Sequence, residues 1–117
     1  MTVALIILHE VPEAANPRAD TAIRLAGAML AEGKDVCLFL VGPCVRCLRS
    51  PFPLSSSPDS PLALLGELLE LGLTLHCCGS SLKCQGLEDR DLPKGVTRSS
   101  MKGLSAWISA ADEVVSF

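Results

Sequence analysis

Aromatic residues and positive charge are both scarce in this sequence. Among 117 residues the only aromatic side chains are three Phe and one Trp, and Tyr is absent. Proteins that bind single-stranded nucleic acid stack its bases on aromatic rings, and duplex binders carry a basic patch. Ten Lys and Arg against thirteen Asp and Glu leave a net charge of −3 without a basic cluster. We therefore expect no direct nucleic-acid partner.

Long hydrophobic runs are also missing, although 49% of the residues are hydrophobic. No apolar run approaches the roughly 18–20 residues that a membrane span requires. The start, MTVALIILHEV, lacks the positively charged region of a signal peptide. We expect a cytoplasmic protein without membrane contact, in which most of the six cysteines remain thiols.

The glycine motifs that cradle phosphate groups are absent. Neither G-x-G-x-x-G nor G-x-x-x-x-G-K-[ST] occurs, so we expect no nucleotide cofactor. A zinc site at Cys44 and Cys47 needs a second pair of ligands at suitable spacing. Because the adjacent Cys77 and Cys78 form a poor chelate, we expect no metal and no other cofactor.

Short apolar segments alternate with helix signals along the whole chain. The predicted strands are Val3–Leu8, Val36–Val41, Leu73–Cys78, Val96–Thr97 and Val114–Val115. Asn16-Pro17 and Ser60-Pro61 predict helix starts with a cap residue followed by proline. Strands that alternate with helices pair in parallel, with helices on both faces of the sheet. Residues 1–117 are thus predicted to be one three-layer α/β domain of the doubly wound, flavodoxin-like class. Residues 43–60, with four prolines and five serines, are predicted to be irregular.

Cys78 occupies the most informative position in this pattern, since sites in open α/β sheets lie at the carboxyl ends of strands. It ends the third predicted strand, directly before a short helix that Gly79, Ser80 and Ser81 begin. Free N–H groups at a helix start stabilise an anion, which lowers the pKa of a thiol. Gly79 leaves the sulfur open, and strand alternation places Cys77 on the opposite face. The alternative is a buried structural cysteine.

The remaining histidines and cysteines are secondary candidates. His9 follows the first strand and would assist Cys78 if the first and third strands are adjacent. His76 is predicted to be a core histidine with its hydrogen bonds made, and Cys37 and Cys84 to be core residues. Cys44 and Cys47 form a C-x-x-C pair that a thiol–disulfide sensor would use.

The segment GLTLHCCGSSLKCQGL, from Gly72 to Leu87, resembles the DsrE/DsrF-like sulfur-relay family. Shared features are a strand that begins with glycine, a cysteine at its end, a short helix, and a glycine eight residues later, here Gly86. The resemblance implies a homotrimer or hexamer with a five-stranded, mostly parallel sheet. It also implies that the cysteine matching Cys78 accepts a persulfide sulfur from a protein donor and passes it to a protein acceptor.

These observations favour a sulfurtransferase-like carrier. In this hypothesis Cys78 holds the persulfide and His9 assists, while Gly79, Ser80 and Ser81 bind the sulfur anion through backbone N–H groups and hydroxyls. Two alternatives remain open. One is a non-catalytic oligomeric module that binds a ligand or partner, and the other is a thiol–disulfide sensor that uses Cys44 and Cys47.

Overall fold

A five-stranded sheet forms the centre of the protein. The computed structural model describes residues 2–12, 17–49 and 60–117. The strands are β1 (Val3–Leu8), β2 (Asp35–Leu40), β3 (Thr74–Cys78), β4 (Val96–Ser99) and β5 (Glu113–Ser116). They follow the order β4-β3-β2-β1-β5, and every neighbouring pair is parallel. The predicted α/β class is therefore confirmed, with all strands rather than most of them parallel.

Within the described residues, four α-helices connect the strands. They are α1 (Pro17–Ala31), α2 (Pro61–Glu70), α3 (Gly79–Cys84) and α4 (Met101–Ala110). The predicted cap Ser60 accepts a hydrogen bond of 3.1 Å from the Ala63 N–H, and Ser100 caps α4 in the same way through the Gly103 N–H. The other predicted cap, Asn16, lies outside the described residues. None of the described helices is long and apolar enough to cross a bilayer.

The direction of the chain through the sheet decides which face each helix covers. The chain moves one strand at a time from β1 to β4 and then returns to β5 on the other side of β1. Because crossovers between parallel strands are right-handed, α1, α2 and α3 cover one face and α4 covers the other. Two separate cores follow: Ile23, Leu65 and Leu82 lie in the larger, and Leu104 lies in the smaller.

The segment after β2 corrects part of the sequence prediction. Residues 43–48, predicted to be irregular, belong to a 3₁₀ helix that spans Gly42–Leu48. This helix forms because Cys44, Val45 and Leu48 are buried in the larger core, and because Gly42 adopts a φ of +63° that favours glycine. Residues 50–59 of the predicted irregular segment lie outside the described residues.

Candidate functional site

Cys78 lies where β3 ends and α3 begins. It is the last residue of β3 and the N-cap of α3. Its side chain is on the face that α4 covers and is only 2% exposed. It packs with the smaller core, which includes Leu5, Cys37, Phe39, Val41 and Leu104. Cys77 is in the larger core on the opposite face, as strand alternation predicts.

The electrostatic environment of Cys78 differs from that of an ordinary buried thiol. Burial raises the pKa of Cys78, but the backbone N–H groups and hydroxyls of Ser81 and Ser80 outweigh it, so that the pKa falls below the ordinary value of a thiol. The Cys78 side chain makes no cap hydrogen bond to α3. Since α3 has only six residues, these local donors matter more than a helix dipole.

The Ser81 hydroxyl is held in place from another part of the chain. The Gly42 N–H donates a hydrogen bond of 2.8 Å to Ser81 Oγ. Because the oxygen accepts this bond, its own proton is available for the Cys78 sulfur. A second contact, 2.8 Å from Arg49 Nη2 to the Gln85 carbonyl oxygen, joins the other end of the 3₁₀ helix to the end of α3. The 3₁₀ helix therefore supports the site, which the sequence did not reveal because the partners are 39 residues apart.

Gly79 also has a packing role that the sequence did not predict. Gly79 is itself buried, and a Cβ atom added to it would lie 2.5 Å from Arg98 Nε. The guanidinium of Arg98 also forms an ion pair of 2.5 Å with Asp89 Oδ1. The glycine thus makes room for Arg98. A groove of about 570 Å³ adjoins this point and is lined by Gly79, Lys83, Leu87, Glu88, Asp89, Arg90 and Arg98.

The structure does not bring His9 to Cys78. β2 lies between β1 and β3, so the adjacency on which the assisting role of His9 depended is not met. His9 is instead turned toward the other edge of the sheet, where its Nδ1 lies 3.2 Å from the carbonyl oxygen of Phe117 after β5. His9 follows β1, the strand from which the chain proceeds on one side and beside which β5 is added on the other. Cys78 follows β3 and is therefore not at this change of strand order.

His76 was predicted to have its hydrogen bonds made, and the structure corrects this. Its Nδ1 is buried without a hydrogen-bond partner among the described residues. Its ring lies between Phe39 and Trp107, with centroid distances of 6.2 and 5.5 Å, and burial lowers its pKa. Strand alternation places His76 on the same face as Cys78, two residues away, and this spacing is the signal that would have linked them.

The other cysteines are less suited to nucleophilic chemistry. Burial raises the pKa of Cys37 to about 12 and that of Cys77 to about 11. Cys84 is exposed, so its predicted core packing is wrong. Within the described ranges, no three side chains of His, Cys, Asp or Glu are grouped to hold a metal ion.

Alkylation rates will separate Cys78 from its neighbour Cys77. Both thiols are buried, so we expect the difference in their thiolate content to dominate the difference in their alkylation rates. At pH 8 a thiol with a pKa of about 11 is almost wholly protonated, whereas the lowered pKa of Cys78 gives it a much larger thiolate fraction than Cys77. We expect Cys78 to react with iodoacetamide roughly 100-fold faster than Cys77 at this pH, measured by peptide mass mapping. Equal rates would contradict the assignment, and the exposed Cys84 gives the unhindered reference.

Comparisons with known proteins agree with this architecture. The model of the DsrE/DsrF-like family matches residues 2–117. The uncharacterized protein MJ0989 of Methanocaldococcus jannaschii is 34% identical over 112 residues, 96% of either chain. The uncharacterized protein MK0008 of Methanopyrus kandleri is 31% identical over 118 residues, covering 98% of this chain and 93% of that protein.

Two solved structures with low sequence identity match the fold itself. The crystal structure of the YchN protein from Escherichia coli matches over the whole of both chains with a TM-score of 0.86 at 21% identity. The MTH1491 structure from Methanobacterium thermoautotrophicum also matches over both chains, with a TM-score of 0.75 at 16% identity. At these identities the likeness shows a shared fold.

Proposed function

Because the chain belongs to the DsrE/DsrF-like family, we propose that it is a sulfur-relay carrier that holds a persulfide on Cys78. The observation that carries this proposal is the set of hydrogen-bond donors around the Cys78 sulfur. Cys78 ends a strand, and the N–H groups and hydroxyls of Ser80 and Ser81 stabilise its thiolate. A thiolate is the form of cysteine that attacks sulfur.

Loading of the carrier is a sulfur transfer between two thiols. The Cys78 thiolate attacks the terminal sulfur of a persulfide on a donor protein. The new bond joins Cys78 Sγ to that sulfur, the sulfur–sulfur bond of the donor breaks, and the donor cysteine leaves as a thiolate. The proton of the donor persulfide stays with the transferred sulfur or passes to water, and no external oxidant is consumed.

Delivery reverses these roles. A thiolate on an acceptor protein attacks the terminal sulfur, and Cys78 leaves as a thiolate. A leaving thiol of lower pKa departs faster, so the donors on Ser80 and Ser81 that help loading also help delivery. The same two residues therefore serve both half-reactions.

The carrier must open to admit its partners, since the Cys78 side chain is 2% exposed. On the α4 face, Leu104 belongs to the same buried cluster as Cys78, and Trp107 packs against this cluster. Leu104 is the only buried residue of α4, so this helix is anchored by little apolar area. We place the opening at α4, because its one buried residue, Leu104, lies in the same cluster as Cys78.

Assembly and compartment complete the proposal. Leu71 and Val114, neither of them on α4, are 73% and 44% exposed, which supports burial of apolar surface in a homotrimer or hexamer. All six cysteines are free thiols, which suits the reducing cytoplasm. The partners are a protein that donates sulfur and a protein that accepts it.

Intact mass measurement tests the carrier directly. Reduced protein is incubated with a cysteine desulfurase and cysteine, and the products are mapped by mass spectrometry after persulfide-selective alkylation. We expect a gain of about 32 Da, one sulfur atom on a thiol, located on Cys78. A chain without the adduct, or with it on another cysteine, would contradict the proposal.

The Ser81 hydroxyl is predicted to set the reactivity of Cys78. Ser81→Ala removes a hydrogen bond to a charged group, worth about 1.5 kcal/mol or more, so alkylation of Cys78 at pH 7 should slow roughly tenfold. The pH profile should move to higher pH, because the pKa of Cys78 rises when a donor is lost. Ser81→Thr keeps the hydroxyl and should keep the profile.

A matched control separates this effect from a general loss of structure. Ser105→Ala replaces an exposed serine on α4 and should leave the Cys78 profile unchanged. Ser80→Ala should also raise the pKa of Cys78, but by less than Ser81→Ala, because Ser80 stabilises the thiolate less than Ser81 does. An unchanged profile in Ser81→Ala would remove Ser81 from the site.

One observation favours a second function. The burial of Cys78 also suits a non-catalytic assembly module in which this thiol is part of the core. That function predicts an ordinary alkylation profile for Cys78 and no sulfur adduct, so the two experiments above decide between them.

A further inference from the structure

The two cysteines of the 3₁₀ helix face each other. In a 3₁₀ helix, side chains three residues apart eclipse, and three steps of about 2.0 Å separate their Cα atoms by about 6 Å. A disulfide accepts Cα separations of roughly 4.4–6.8 Å. Cys44 and Cys47 have this spacing within Gly42–Leu48. The Cα separation therefore fits a disulfide, and the two thiols are already in hydrogen-bonding contact. Their Cβ atoms, also about 6 Å apart in this helix, need only a local tightening of the turn to reach the roughly 3.5–4.5 Å of a disulfide.

We infer that Cys44 and Cys47 form a reversible dithiol–disulfide pair that exchanges with low-molecular-weight disulfides, and that its oxidation slows the chemistry of Cys78. The first half of this inference is independent of the carrier function. The second half rests on the proposed function, because it concerns the thiol that would carry sulfur.

The two thiols differ in access, which fixes their roles. Cys47 is half-buried, whereas Cys44 is fully buried in the larger core. Cys47 is therefore the thiol that meets a disulfide from solution, and Cys44 resolves the product. Two causes raise the pKa of Cys44: its hydrogen bond with Cys47, which is the larger, and its burial. Cys44 therefore stays protonated until Cys47 has reacted.

The exchange balances without any other reactant. The Cys47 thiolate attacks one sulfur of the small disulfide, whose sulfur–sulfur bond breaks and releases one small thiolate. Cys44 then loses its proton and attacks the Cys47 sulfur of the mixed disulfide, releasing the second small thiolate. Two protein thiols are oxidised to one disulfide, one small disulfide is reduced to two thiols, and the two protons pass to the released thiolates.

The 3₁₀ helix is joined to α3 at both of its ends, which couples the pair to Cys78. The Gly42 N–H binds Ser81 Oγ, and Arg49 binds the carbonyl oxygen of Gln85. A disulfide draws the two Cβ atoms from about 6 Å apart to roughly 3.5–4.5 Å and so tightens the turn that Gly42 begins. A weaker Gly42–Ser81 bond leaves the Ser81 hydroxyl less well aimed at Cys78, and its thiolate loses support.

The test uses glutathione disulfide and tryptic mapping of the full chain. Free thiols are blocked with iodoacetamide after oxidation. Trypsin cleaves after Arg46, so a Cys44–Cys47 disulfide links residues 35–46 to residues 47–49, and fragmentation distinguishes Cys44 from Cys37 in the longer peptide. We expect this linked pair and a protein mass lower by about 2 Da, both reversed by a reducing agent. A link from residues 47–49 to residues 50–83 indicates pairing of Cys47 with Cys77 or Cys78 and overturns the inference, as does the absence of a link.

Single variants check the order of attack. Cys44→Ser should retain a stable mixed disulfide on Cys47, because the resolving thiol is missing. Cys47→Ser should acquire neither a mixed disulfide on Cys44 nor a bridge, because Cys44 is inaccessible. If Cys47→Ser instead forms a mixed disulfide on Cys44, the assigned roles are wrong.

The coupling has its own measurement. We expect alkylation of Cys78 to slow about threefold or more in the oxidised protein, the effect of one weakened hydrogen bond, and to recover on reduction. An unchanged rate in fully oxidised protein overturns the coupling. Cys78→Ser should still form the Cys44–Cys47 disulfide, so failure of the pair and failure of the carrier function are distinguished.

Discussion

Cys78→Ser is expected to abolish the sulfur adduct. A serine hydroxyl stays protonated at neutral pH and cannot take part in sulfur exchange. The neighbouring thiols cannot replace it, because burial raises the pKa of Cys77 to about 11 and that of Cys37 to about 12. We expect the fraction of protein carrying one extra sulfur to fall at least about 100-fold, as measured by intact mass after incubation with a desulfurase and cysteine.

The matched control removes the exposed thiol of the same helix. Cys84 is at the end of α3 and is open to solvent, so Cys84→Ser changes the number of thiols without touching the β3–α3 junction. Its adduct should equal that of the unmodified chain. If Cys84→Ser loses the adduct while Cys78→Ser retains it, the sulfur is carried on the exposed thiol. Thermal unfolding of both variants verifies that the fold is kept.

Much of the fold was predictable because its signals are local. Val3–Leu8 is a continuous apolar run, and β1 has those bounds. Ser60 followed by Pro61 marks the start of α2, since the serine oxygen caps a free N–H group and proline needs none. The Cys78–Gly79 junction was predictable for the same reason, because one strand ends where a helix begins.

The contacts that complete the site were not predictable, because they are long-range. The Gly42–Ser81 hydrogen bond depends on how the 3₁₀ helix packs against α3. The order of the strands decides whether His9 meets Cys78, and alternation along the chain gives parallel pairing without giving that order. β2 lies between the two strands that a role for His9 requires to be neighbours.

Packing also explains why two individual residues differ from expectation. Cys84 was predicted to be buried, but the buried residues of α3 are Gly79 and Leu82. His76 was predicted to be satisfied, but both of its ring contacts are aromatic, with Phe39 and Trp107. Neither fact follows from a local pattern, because each depends on which element covers that part of the sheet.

Leu104→Ala is expected to open the α4 face above Cys78. Leu104 is the single buried residue of α4 and packs in the same cluster as Cys78. Truncation of a buried leucine costs about 2–3 kcal/mol, and most of this loss falls on the docking of α4. Labelling of a buried thiol follows the population of the open state, so alkylation of Cys78 should accelerate roughly 30-fold or more.

The face on which each thiol lies makes this prediction specific. Cys77 is on the opposite face under the larger core, so opening of α4 alone should leave its labelling rate unchanged. Met101→Ala truncates an exposed residue of the same helix and should alter neither rate. Equal acceleration of Cys77 and Cys78 in Leu104→Ala would mean that the whole domain unfolds before either thiol reacts. Access to Cys78 would then be a matter of global stability, and a partner that delivers sulfur would need another route than α4.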